Sequence, residues 1–128
     1  MKKTRWLDRR IAWPGPYLAL CCSEAEFFRA LGELRTHHDV TEWCPTDGGR
    51  THHLYNASRD SVCLVCIDPA PGRTGLEVVG LLVHEAVHIW QEYCRQIGEL
   101  RPGEEQEAYA VQSIAQELMQ EYRRRVVE

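Results

Sequence analysis

LEVVGLLVHEAVHIWQEYCRQI, residues 76–97, is the longest apolar run in the chain and decides how the rest must be arranged. Apolar side chains occur on nearly every side of it, which predicts a largely buried helix. Inside it, His84-Glu85-Ala86-Val87-His88 forms an H-E-x-x-H motif. Residues four apart share a helix face, so the imidazoles of His84 and His88 come together while Glu85 projects about 100° away. Two histidines and a glutamate in a buried helix need partners, because an unpaired buried charge is costly. A shared metal ion meets that need. The plainer reading, two unrelated helical histidines, leaves it unmet.

The elements on either side follow from local signals. Thr74 with Glu77 is a capping box opening the motif helix, and Gly98 stops it. Upstream, Trp13-Pro14-Gly15-Pro16 is turn-rich, Tyr17–Cys22 reads as a short buried strand, and Ser23 with Glu26 is a second capping box. The helix after it carries Phe27, Phe28, Leu31 and Leu34 and fades near His37-His38. Residues 39–50 read as a loop, with Pro45 and Asp47-Gly48-Gly49 as breakers. Thr51–Asn56 and Val62–Ile67 suit the two strands of a hairpin, which Asp68-Pro69-Ala70-Pro71-Gly72 ends. After Arg101-Pro102-Gly103, a last helix runs from Glu104 to about Arg125, with Ala108, Val111, Ala115, Leu118 and Tyr122 on one stripe. The order strand, helix, strand, strand, helix, helix predicts an α+β fold. A small antiparallel or mixed sheet packs on the motif helix and the C-terminal helix, in one domain spanning residues 1–128.

Composition narrows the function classes. The net charge of −4 argues against nucleic acid as the main partner. Basic clusters at Lys2-Lys3-Arg5 with Arg9-Arg10 and at Arg123-Arg124-Arg125 read as solvated termini, and the second also suits the negative end of a helix. Glu77, His84 and Glu85 interrupt the longest apolar run, so no membrane span is expected. Asp8, Arg9 and Arg10 break any secretory leader, which predicts a cytoplasmic setting and reduced cysteines. Cys63 and Cys66 have zinc-knuckle spacing, but on a strand they point to opposite faces.

Zinc suits a site of mixed nitrogen and oxygen ligands, and a catalytic zinc takes three protein ligands plus an open position. His84 and His88 are two. Glu85 points elsewhere and suits a general base that takes a proton from water and returns it to the leaving amine. Gly80, one turn earlier, is expected to allow a close approach by backbone or substrate. The third ligand is sought downstream among Glu99, Glu104, Glu105 and Glu107. Glu107 borders the inward stripe of the last helix and is the first choice, with Glu104 second. The alternative is that these acids only favour the positive helix end. Candidate donors to a developing oxyanion are Tyr109, Tyr55, His52 and His53. On a strand His53 and Tyr55 share one face and His52 and Leu54 the other.

H-E-x-x-H, eighteen residues, then Glu107 resembles the layout of glutamate-type zincin metallopeptidases. Glu105-Gln106-Glu107-Ala108-Tyr109-Ala110 is similar to a stretch of small repressor-cleaving metalloproteases of mobile elements. His88-Ile89-Trp90-Gln91 resembles a run in metallopeptidases of phages and prophages. The resemblance covers about residues 76–122 and leaves the N-terminal half unmatched. It implies a minimal zincin-like domain, phage-encoded in a bacterial host, that hydrolyses a protein or peptide through a Zn2+-activated water. It also implies His84, His88 and Glu107 as ligands, Glu85 as base and Tyr109 beside the third ligand. By the same analogy, Thr51–Asn56 is an edge strand that pairs with substrate. The competing expectation is a non-catalytic, zinc-stabilised structural or regulatory module of a phage-like assembly, which a fourth protein ligand would favour.

Overall fold

In a computed structural model describing residues 2–8, 15–45, 48–69 and 72–127, the chain is an α+β domain with a four-stranded mixed sheet and three helices. The elements are β1 (Trp6–Leu7), β2 (Tyr17–Cys21), α1 (Glu24–Glu33), β3 (Gly49–Tyr55), β4 (Ser61–Ile67), α2 (Gly75–Ile97) and α3 (Glu104–Val127). Strand order is β1-β2-β4-β3. β2 and β4 run parallel, Tyr17 opposite Val62 through Cys21 opposite Cys66, and the other two pairings are antiparallel. Trp13, Pro14, Asp47, Ala70, Pro71, Arg9 and Arg10, which entered the turn and charge readings, lie outside the described residues.

The sheet separates two cores. Phe27 and Ala30 of α1, with Leu34 that caps it, pack with Ala19, Cys21, Leu64 and Cys66 on one face. Val78, Leu82, Ile89 and Trp90 of α2, with Ile114 and Leu118 of α3, pack with Leu18, Leu20, Val65 and Ile67 on the other. Cover on both faces explains why β2 and β4 are apolar almost without interruption. Cys63 and Cys66 fall in different cores, as alternation on a strand requires, and all six cysteines are free thiols. No helix among the described residues is long and apolar enough to cross a membrane.

Local signals fix α2 well. Thr74 accepts from the Glu77 backbone N–H at 3.1 Å, Glu77 accepts from the Thr74 N–H at 3.2 Å, and Gly98 closes the helix at φ 75°. At α1 only half of the box forms. Ser23 accepts from Glu26 N–H, but the Glu26 carboxylate accepts from the Cys22 N–H at 2.7 Å and from Arg125 at 2.6 Å. Arg35, with φ 57°, ends α1 before His37-His38. β3 starts at Gly49, two residues before its expected start, because Gly49 already opposes Ile67. β1 was not anticipated, since two residues carry no readable period. On α3, Ala115 and Leu118 of the expected stripe are buried, Val111 and Tyr122 pack partly buried on the same core, Ala110 and Ile114 join them, and Ala108 is exposed.

Of the C-terminal arginines, Arg123 is exposed as expected, but Arg124 and Arg125 are drawn into ion pairs. Glu121, 3% exposed, pairs with Arg5 at 3.0 Å, Arg124 at 2.7 Å and Arg125 at 2.9 Å. Arg125 also donates to the Leu20 carbonyl at 2.6 Å, tying α3 to β2.

β3 forms one edge of the sheet and lies against α2. Gly49 is needed where β3 meets β4: an ideal Cβ there would sit 2.4 Å from Ile67 Cδ1 and 3.2 Å from the Cys66 carbonyl, while Glu85 Cγ, at 3.6 Å, is at ordinary contact distance. Gly49→Ala is expected to destabilise the fold by about 1–3 kcal/mol, as overpacking does, read as a lower denaturant midpoint at unchanged slope. Gly80, expected to admit a close neighbour, faces open space.

Candidate metal centre

Helical phase places the motif as its spacing predicts, but of the three residues only Glu85 is buried as the apolar run implied. Glu85 is buried at 3% exposure, while His84 and His88 stand on the open side of α2. The apolar residues of the run did not enclose the histidines, because α3 and the sheet cover the opposite arc of α2, where Leu82, Ala86, Ile89 and Trp90 lie. The cost of burial therefore falls on Glu85. The Thr51 hydroxyl of β3 donates to its Oε1 at 2.8 Å.

His84 Nε2 and His88 Nε2 are 3.1 Å apart, with the rings edge-to-face at 73°. Two nitrogens bound to one tetrahedral zinc at ~2.0–2.1 Å stand about 3.3 Å apart, so the spacing of the pair is compatible with a shared ion. The Gln91 amide oxygen lies 3.3 Å from His88 Nδ1, placed to accept an Nδ1–H in the tautomer that frees Nε2 for a ligand. Glu92, the next residue, pairs with Arg95 at 3.1 Å.

The histidines and Glu85 line an open cleft of about 280 Å³, walled on the other side by Gly49, Thr51 and His53 of β3 and reached by Arg95. β3 alternation decides between the histidine pairs. His53 faces the cleft, while His52 turns to the α1 core, donates to the Trp43 carbonyl at 2.9 Å and packs on Phe27. Burial pushes both imidazoles below their ordinary value. Burial also raises the Cys63 thiol to about 12, and its sulfur lies 3.5 Å from His53 Nδ1. A neutral thiol donating to Nδ1 leaves the His53 N–H on Nε2.

The downstream residues sit apart from this cleft. The Glu107 carboxylate accepts from the Trp90 indole N–H at 2.8 Å, bridging α3 to α2 two residues beyond His88. Glu104 is exposed in the first turn of α3. Tyr109 is 63% exposed and is not among the residues lining the cleft. Tyr55 packs edge-to-face on His38 at 4.8 Å. Among the described residues, no three His, Cys, Asp or Glu side chains are gathered closely enough to enclose an ion. His84 and His88 are the two imidazoles spaced for a shared ion, and Glu107 is not gathered with them.

Sequence reasoning overlooked Thr51 and Arg95. A threonine on a half-exposed strand carries no local signal of the carboxylate it will meet 34 residues later. No protein-family model, curated protein or solved structure matches the chain.

Proposed function

We propose that the chain is a zinc-dependent peptidase acting on a protein or peptide. The observation that carries this reading is the juxtaposition of two imidazole nitrogens 3.1 Å apart with a buried carboxylate on the next helical position, all opening on one cleft. His84 and His88 would hold the ion; Glu107 is the third ligand in this reading and would have to leave its hydrogen bond with Trp90 and swing towards the pair to serve. When bound, zinc supplies a Lewis acid that makes water nucleophilic near neutral pH.

The remaining chemistry belongs to the chain. Glu85 takes the proton of the attacking water and returns it to the departing amine. His53, neutral and facing the cleft, is the donor to the developing oxyanion in this reading, a role that Tyr109 does not reach from its position on α3. β3, an edge strand among the described residues, offers backbone N–H and C=O groups to an extended peptide, which would lie along the cleft. Proteomic cleavage profiling tests the reading. New peptide termini are expected with the zinc-loaded protein and not with Glu85→Gln. Identical profiles from the two proteins would overturn it.

A further inference from the structure

We infer that Thr51 is a positioning residue for Glu85, holding one carboxylate oxygen so that the other meets the reacting water. The inference rests on the peptidase reading and adds a residue to its machinery. Glu85 is 3% exposed yet borders the cleft, so its carboxylate is a buried group presented at one side only. Such a group needs a fixed hydrogen-bond partner, and the Thr51 hydroxyl at 2.8 Å is one. The bond engages Oε1 and leaves Oε2 for proton transfer.

Three further features make this a device of β3. Threonine is β-branched and stiff at χ1, so a strand holds its hydroxyl in one place. Gly49, two residues earlier and on the same face, lies beside Glu85 Cγ at ordinary contact distance. His53, two residues later on that face, borders His84 and His88 in the cleft. One strand face thus contacts the base and fronts the imidazole pair.

The test compares Thr51→Val, which keeps the shape and removes the hydroxyl, with Thr51→Ser, which restores it. Three quantities are read on zinc-loaded protein: zinc content, kcat and KM on an internally quenched peptide library, and calorimetric affinity for a peptide phosphonate. Thr51→Val is expected to keep its zinc and KM while kcat falls about 10- to 100-fold, with phosphonate affinity falling in parallel. Thr51→Ser is expected to recover both. Wild-type kcat and phosphonate affinity in Thr51→Val, whatever its stability, would overturn the proposal and leave the peptidase reading standing. A zinc-loaded wild type that neither cleaves nor binds the phosphonate would remove the reading and this proposal together. If Thr51→Val does not fold, Thr51→Cys replaces it, with its weak thiol donor, and the same loss against Thr51→Ser is expected.

Discussion

Glu85→Gln is expected to lower turnover by about 10²–10⁴-fold while leaving zinc content unchanged. The amide has nearly the same shape as the carboxylate and can still accept from Thr51, so the wall between α2 and β3 should stay closed. It cannot take a proton from water. His84 and His88 lie on a different arc of the helix and keep their 3.1 Å spacing, so metal affinity is not expected to follow activity. Because the buried charge is removed and its one-sided hydrogen bond kept, folding stability should be equal to or above that of wild type. Activity measured on purified protein, with zinc quantified in the same sample, separates loss of the base from loss of the metal.

The largest stability effect is expected at Glu121. Its carboxylate is buried and faces Arg5, Arg124 and Arg125, so Glu121→Gln leaves three guanidinium groups around a neutral amide. Breaking a buried ion pair costs about 3–5 kcal/mol. Arg5 and Arg124 reach solvent and can rehydrate, which places the effect near the lower end, about 3 kcal/mol. Burial alone would raise the Glu121 carboxyl, but hydrogen bonds from Arg124 and Arg125 and their charges outweigh it and hold it below the ordinary value of 4.5. A carboxyl depressed in the folded state binds its proton more readily when unfolded. Its contribution is therefore complete above about pH 4.5 and is lost as pH falls through the folded value. Denaturant unfolding at pH 7 should separate wild type from Glu121→Gln, and the gap should close on acidification. A gap that persists unchanged to low pH would mean the ion pairs are not its source.

What could be read from the sequence was what is decided within a few residues. The capping box at Thr74 and Glu77, the stop at Gly98, the buried run of β4 and the hairpin at Asn56–Ser61 each depend on near neighbours, and each is present. The errors lie where distant segments meet. Arg125 reaches Glu26 across 99 positions and draws its carboxylate away from the cap it was expected to complete. Arg124 and Arg125, read as part of a solvated terminus, instead neutralise a buried glutamate.

The site divides along the same line. Helical phase alone brings His84 and His88 together and turns Glu85 aside, so these three were legible. Which of them would be buried depended on where α3 and the sheet lie; the apolar run implied burial for all three, and only Glu85 is buried. The choice of His53 over His52 depended on which β3 face meets α2. Gly80 was taken for the close-approach glycine because it sits in the motif helix, but the close approach falls at Gly49, where β3 meets β4. Glu107 lies on the side of α3 that faces α2, as its spacing indicated, where it meets Trp90.

The central claim is that His84 and His88 are metal ligands. Zinc titration of the metal-free protein, with the bound metal quantified by elemental analysis, tests it most directly. The account predicts one tightly held zinc per chain and retention of that zinc in Glu85→Gln. His84→Ala should lose it, and Glu107→Ala should weaken it by more than the 10- to 100-fold typical of removing a supporting residue. Zinc binding by His84→Ala as tight as that of wild type would contradict the account.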